Sequence, residues 1–334
     1  MKAIQISETG SLDVLHLVEL PDPQPGPGEV VIRVEAAGVN FMDIMRRKGV
    51  PFDLPTPLPF VPGGEAAGTV VALGDGVENA AVGDRVFGAV GPLMNGGYAE
   101  LAVANAAGLF QVPPGMDVGR AAGLTGVAVP AAVMLIGAAR LEAGETLFVP
   151  AAAGGLGGYA VQIGKALGAT VIAGASTAEK RQIAVELGAD HTVDYREPGW
   201  TDEVKRLTDG RGVDVALETI GPDHAGETLS ALAPFGRMIT YGTIGDQSRP
   251  IPSAAMTSSF FNPAPGHALI GFNVGYWFTE RPQEAGAAAA RLMGWLADGT
   301  VTGPRVTSLP LSEAASAQAL LEQGTNIGRV VLVP

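Results

Sequence analysis

From Gly144 onward, short β-branched and aliphatic runs alternate with helix-length stretches, and this rhythm constrains the fold more than any other feature. Thr146–Val149 reads as a strand, followed by a helix near Leu156–Leu167, a strand at Thr170–Ala173 and a helix near Ala178–Leu187. The short strand His191–Val193 follows, then a helix near Thr201–Leu207, a strand at Val213–Leu217, a helix near His224–Leu232 and a strand at Arg237–Tyr241. Connections this short require right-handed crossovers and a parallel sheet with helices on both faces. The text before about residue 115 is different. Val30–Val34, Thr69–Leu73, Asp84–Phe87 and Tyr98–Val103 are short β-like runs, broken at Pro21–Gly28 and Pro51–Pro62. That pattern predicts a small antiparallel, barrel-like unit. After Thr243 the run through Pro265 is irregular and rich in proline, and mixed helix and strand return at Ala285–Leu296, Ser312–Leu321 and Arg329–Val333. The expected class is α/β, a β-rich unit joined to a doubly wound parallel sheet.

Composition removes several functions. With 334 residues, 47% of them hydrophobic, the chain has material for about two cores. A formal net charge of −13 supplies no overall basic footprint for nucleic acid. The absence of cysteine excludes disulfides, thiolate metal sites and cysteine nucleophiles. Met1–Gly10 carries Glu8 and no long apolar run, so no secretory signal is expected there. Ala121–Ala139 is uncharged over nearly a bilayer's thickness, but Gly123, Gly126 and Pro130 interrupt it, which favours buried core over a membrane span. The expectation is a cytoplasmic protein without membrane or nucleic-acid partners.

The most specific chemistry lies at the first strand-to-helix turn, Ala151-Ala152-Ala153-Gly154-Gly155-Leu156-Gly157-Gly158. Small residues allow a pyrophosphate close to the backbone, and the free amides of the helix start point at the anion. Ala151 replaces the usual first glycine, giving the spacing A-x-x-G-x-x-G. A dinucleotide site is expected, since the required strand before and helix after are both present. An NAD site calls for a carboxylate at the end of the next strand, yet this strand ends Ala173-Gly174-Ala175-Ser176-Thr177, followed by Lys180 and Arg181. Hydroxyls and cations without an acid favour a 2′-phosphate, hence NADP over NAD. Ser176 with Glu179 also fits a helix capping box, which is compatible with anion binding.

Further segments fall into a recognisable order: Gly38-Val39-Asn40-Phe41-Met42-Asp43, Pro62-Gly63-Gly64-Glu65-Ala66-Ala67-Gly68-Thr69-Val70, Gly83-Asp84-Arg85-Val86 and Gly96-Gly97-Tyr98-Ala99-Glu100. Ala143-Gly144-Glu145, the A-x-x-G-x-x-G turn, Lys165-Ala166-Leu167-Gly168-Ala169, Leu187-Gly188-Ala189-Asp190 and Gly328-Arg329-Val330-Val331-Leu332 complete it. Over essentially its whole length the chain resembles the zinc-free quinone oxidoreductases, the ζ-crystallin-like members of the medium-chain dehydrogenases/reductases. The resemblance implies a GroES-like catalytic domain at 1–123, a Rossmann-type NADP-binding domain at 124–267, and a segment at 268–334 that returns to the catalytic domain. It implies NADPH in the cleft between domains, and a homodimer formed through the edge of the cofactor-domain sheet.

The resemblance also assigns residues. Asn40 matches the cleft asparagine near the nicotinamide and is the candidate catalytic anchor. Ala153, Gly154, Gly155, Leu156 and Gly157 form the expected pyrophosphate turn. Lys180 and Tyr195 match the pair that holds the adenosine 2′-phosphate, with Ser176 beside them. Tyr241, Gly242 and Thr243 resemble the loop at the nicotinamide. Phe41, Met45 and Phe52 are candidate pocket walls, although methionine and phenylalanine at such spacing also suit a plain core. Met45 and Pro51 stand where family members often carry tyrosines, and Pro130 stands where a cofactor-facing threonine is common. A more apolar pocket is therefore expected.

Zinc is not expected. The histidine that precedes the glutamate in zinc-dependent relatives is replaced by Gly64, and His16, His191, His224 and His267 have no ligand spacing. The leading expectation is NADPH-dependent hydride transfer to a small-molecule quinone. The alternatives are reduction of an enone or enoyl thioester, and a non-catalytic, crystallin-like NADPH-binding protein.

Overall fold

The computed structural model describes residues 1–50, 54–242, 249–261 and 265–334 and divides into two compact units. The first comprises Met1–Val127 and Arg305–Pro334, the second Ala128–Pro304.

The strands of the first unit are β1 (Lys2–Gln5), β2 (His16–Glu19), β3 (Glu29–Gly38), β4 (Glu65–Leu73), β5 (Arg85–Ala89), β6 (Leu101–Asn105) and β7 (Leu109–Gln111). In the second unit, β8 (Thr146–Val149), β9 (Thr170–Gly174), β10 (His191–Val193), β11 (Val213–Glu218), β12 (Leu232–Thr240) and β13 (Ala268–Gly271) follow. β14 (Val306–Pro310) and β15 (Arg329–Val333) belong again to the first. Its larger sheet runs β14-β15-β3-β4-β5-β7, with β6 also paired to β3, and β1 and β2 form a separate antiparallel pair. Val30, Ile32, Val34, Ala66, Val70, Val86, Ala102, Val330 and Leu332 meet in its core. β15 pairs antiparallel with β3, Val331 opposite Gly38 and Leu332 opposite Ala37. That register sets Arg329, at the start of β15, beside the end of β3. The helix α1 (Phe41–Arg47) begins directly after this strand end.

The second unit has the sheet order β10-β9-β8-β11-β12-β13, every pair parallel. β11 is buried at all six positions, as expected of a strand covered on both faces. Buried ends are fixed by charged side chains: Arg237 grips both oxygens of Glu145 at 2.8 and 2.7 Å, and Asp214 accepts from the Thr146 amide at 2.9 Å. The order reverses between β8 and β11, which is where open α/β sheets bind ligands at their carboxyl ends.

The compact units differ from both expected boundaries, and the first unit runs on to Val127 rather than ending at 123. Residues 268–304 belong to the second unit, and the return to the first starts at Arg305. β13 adds a sixth strand beside β12, and the helix Pro282–Asp298 buries Ala285, Ala288, Ala289 and Leu292. Proline-rich text around 250 also contains a helix, Ser253–Phe260. β12 begins at Leu232 rather than 237, because Ala231 already ends the preceding helix.

The uncharged stretch lies in a helix that runs Val118–Ala138, with mean hydropathy 1.9 and 72% burial in its most apolar window. It is the one helix among the described residues long and apolar enough to cross a membrane. Two α-helical pieces, α2 (Val118–Ala121) and α3 (Val129–Ala132), alternate with wider π-helical turns at Leu124–Ala128 and Val133–Ala138. Pro130 cannot donate to an i−4 carbonyl, so a widened turn next to it is the expected response.

Candidate active site

Asn40 precedes α1 in extended conformation, and Asp43 Oδ2 accepts from its backbone N–H at 2.9 Å. The Asn40 side chain closes a ring with two charged residues. Its Nδ2 donates to Glu65 Oε1 at 2.9 Å, and its Oδ1 accepts from Arg329 Nη1 at 2.9 Å. Arg329 Nη2 pairs with Glu65 Oε1, and Nη1 also donates to the Val39 carbonyl at 2.8 Å. The Gly126 amide donates to Glu65 Oε2 at 2.6 Å. Glu65 and Arg329 are 1% and 5% exposed, whereas Asn40 is half-buried. Three glycines wall the ring. A Cβ at Gly126 would lie 2.5 Å from Glu65 Oε1, one at Gly123 would lie 2.9 Å from Arg329 Nε, and one at Gly38 would overlap both charged groups.

Below the ring lies a second buried acid. Asp43 accepts from Tyr98 Oη at 3.1 Å and the Gly63 amide at 3.2 Å. Burial pushes its carboxyl up to about 6, against the pull of those donors. Burial likewise raises the Tyr98 hydroxyl.

Gly64, beside Glu65, stands where a zinc-ligating histidine would begin. A Cβ there would lie 2.6 Å from Met42 Cε and 3.2 Å from Met94 Cβ, so two methionines already fill the space. Among the described residues, no group of three or more His, Cys, Asp or Glu side chains could hold a metal ion. The donor set does not fit zinc. Met45 is half-buried on α1, while Phe41, expected in the pocket wall, packs against the barrel core. Phe52 and Pro51 lie outside the described residues.

In the second unit the phosphate turn forms at the end of β8. Gly154 is the N-cap of α4 (Gly155–Ala166), no side chain caps it, and the first-turn amides of Gly155, Leu156 and Gly157 have no intrahelical acceptor. Ala151, in the place of the usual first glycine, adopts a left-handed φ of 49°. Its carbonyl accepts from the Gly154 amide at 2.9 Å and leaves no room for a Cβ at Gly157. Ala153 is buried beneath the turn. This cradle fits a pyrophosphate.

The end of β9 carries no carboxylate of its own; Arg181 Nη1 donates to the Ala175 carbonyl at 3.1 Å and to Asp194, beyond β10, at 2.9 Å, and Lys180 and Arg196 add two further cations. Lys180 sits half-buried on α5 (Ala178–Glu186), its ammonium pushed down by burial and by the nearby Arg196 guanidinium. Two cations close enough to repel mark a place where an anion would be welcome. Arg196 was not singled out in the sequence, although it lies within Val193-Asp194-Tyr195-Arg196-Glu197. Tyr195 is half-buried, packs beside Gly174, and sets its ring edge-on to His224 at 5.3 Å. The α5 cap is Thr177, whose hydroxyl accepts from the Lys180 amide at 3.2 Å, so Ser176 is not the capping residue. Ser176 therefore keeps its hydroxyl out of the cap. Tyr241 follows β12, its hydroxyl raised by burial and by Glu218, and Gly242 adopts φ 109°. Thr243 lies outside the described residues.

Comparison with known proteins agrees with both halves. Residues 26–114 match the alcohol dehydrogenase GroES-like domain, and residues 155–288 match a family described as zinc-binding dehydrogenase. A quinone oxidoreductase of Pseudomonas aeruginosa is 33% identical, covering 100% of this chain and 99% of its own. A 2-haloacrylate reductase of a Burkholderia species is 32% identical, over 99% of this chain and 98% of its own. The mouse synaptic vesicle membrane protein VAT-1 homolog is 31% identical, over 100% of this chain and 84% of its own. The Escherichia coli quinone oxidoreductase crystallised with NADPH superposes with a TM-score of 0.89 at 28% identity, each chain covered to 100%. The protein belongs to the zinc-free, quinone oxidoreductase-like family of the medium-chain dehydrogenases/reductases. It is an oxidoreductase of that superfamily.

Proposed function

We propose that this chain is an NADPH-dependent reductase of quinones that works without zinc. The observation carrying the cofactor half is the uncapped Gly154–Gly157 helix start beside a strand end with Lys180 and Arg196 and no carboxylate. The turn amides would hold the pyrophosphate, and Lys180, Arg196, Ser176 and Tyr195 the 2′-phosphate. NADPH, when bound, supplies the hydride. The chain's part is to place an electron-poor acceptor, exclude water and steady the charge that appears on it. The acceptor gains a hydride and then a proton from water, and NADP⁺ leaves, so electrons and protons balance without a dedicated acid. Asn40 is the polar anchor for the acceptor, with Met42 and Met45 as apolar neighbours. The sealed space at Gly64 supports a mechanism without a metal Lewis acid.

Reduction of an activated carbon–carbon double bond is the second reading, favoured by the similarity to a 2-haloacrylate reductase. We also propose a cytoplasmic homodimer, paired through the outer edge of β13, which among the described residues has β12 as its one strand neighbour. NADPH oxidation measured with naphthoquinone, phenanthrenequinone, a small enone and crotonyl-CoA tests the function. Turnover of quinones with NADPH but poorly with NADH is expected. Turnover of the alkenes alone would transfer the assignment to the second reading, and no turnover at all would leave a binding protein.

A further inference from the structure

The Asn40–Glu65–Arg329 ring bears on chemistry as well as packing. An amide side chain has two N–H donors and two lone pairs. Here one donor is committed to Glu65 and one lone pair to Arg329, both at 2.9 Å. Reversing the amide would set a carbonyl against a carboxylate and an NH₂ against a guanidinium, so its orientation is fixed electrostatically. A buried ion pair is weak evidence for stability, because desolvation offsets its attraction. Gly38, Gly123 and Gly126 nevertheless bring backbone against this pair where any side chain would collide. The arrangement spends three positions on holding one amide still.

Resting on the reductase reading above, we infer that Arg329 and Glu65 are positioning residues acting through Asn40. They hold the half-buried amide so that its second Nδ2–H, the one not donated to Glu65, meets the acceptor oxygen where negative charge develops. The guanidinium on Oδ1 and the carboxylate on the first N–H polarise the amide in opposite senses, so what the pair supplies is a fixed orientation. A donor already oriented needs no reorganisation when the charge appears.

A double-mutant cycle tests this. Asn40→Ala should lower kcat on the order of 10²-fold, as loss of one fixed oxyanion donor does. Arg329→Lys and the isosteric Glu65→Gln should each lower kcat by roughly tenfold or more while leaving NADPH affinity unchanged. Added to Asn40→Ala, neither should cost anything further. Losses that multiply, or NADPH affinity that falls in step with kcat, would overturn the inference. A readout independent of turnover covers a variant that fails to fold, or a wild-type protein without reductase activity. In the cofactor-free protein, the Asn40 side-chain amide protons, identified by their loss in Asn40→Ala, should include one that is protected from solvent exchange and that loses its protection in Glu65→Gln or Arg329→Lys. Two protons that both exchange as fast as those of an exposed asparagine would overturn the positioning role whatever the acceptor. Inactivity with the protected proton present would sink only the reductase reading.

Discussion

A carboxyl with Asp43's surroundings is easier to bury protonated than charged. Its folded-state value of about 6 lies above the ordinary 3.8, so the native state binds the proton more tightly than the unfolded chain. The contribution to stability is therefore present in full below about pH 4 and is lost as pH rises to about 6. Asp190, Asp194 and Asp214, held low by Lys165, Arg196 and Arg211 among other donors, act in the opposite sense and below pH 4. Asp43→Asn should thus flatten stability between pH 4 and 6 relative to wild type, by on the order of 2–3 kcal/mol. Urea unfolding of both proteins across that range measures the difference, and identical slopes would contradict it. At the other site, Lys180→Ala should raise the KM for NADPH about tenfold or more and leave NADH nearly unchanged, as loss of a charged hydrogen bond to phosphate predicts. Equal effects on both cofactors would make the lysine a bystander. The exposed Arg196, already held by Asp194 at 3.3 Å, should show a smaller effect. Lys180 was legible because it follows a strand end directly. Arg329 was not, since 264 positions separate it from Glu65 and nothing local marks the pair.

At the scale of elements, the α4 start depends on how closely helix and turn approach. Gly157→Ala would drive a methyl into the Ala151 carbonyl, whose chain is already left-handed at φ 49°. The turn must shift to accept it. We expect a loss of about 1–3 kcal/mol in stability and weaker NADPH binding, read together by thermal unfolding with and without cofactor. Unchanged binding would mean that the turn does not cradle the pyrophosphate. The strand–helix rhythm of this half was visible in the sequence, because its buried strands are short, mostly apolar runs between polar helix faces, with Asp214 and Glu218 in β11 as exceptions. Helix caps were harder. Ser176 and Thr177 are both competent, and only the backbone path chose Thr177. The π-helical turns around Pro130 had a local sign in the proline itself. Their service to Glu65 through the Gly126 amide did not, since it joins residues 61 apart.

For the whole molecule, the sequence gives away the two architectures but not where the chain passes back between them. β13 is four residues long, and the short run Ala268–Gly271, with no polar residue to mark an outer face, fits either sheet. Its parallel register with β12 decides the matter and carries the residues up to Pro304 with it. Net charge acts at this same scale. At −13 the protein repels polyanions over roughly a Debye length, about 10 Å at 0.1 M salt. A coenzyme A thioester meets that field, whereas a neutral aromatic quinone does not. The apolar side chains beside Asn40 point the same way: each buried methylene-sized contact favours an apolar acceptor by about 0.8 kcal/mol, and each unpaired polar group on a polar one costs about 1–3 kcal/mol. With saturating NADPH, kcat/KM for naphthoquinone should exceed that for crotonyl-CoA. Added salt should narrow the ratio by rescuing the thioester alone. A ratio below one at every ionic strength would favour the alkene reductase, and a ratio above one but indifferent to salt would assign the preference to the pocket rather than to the field.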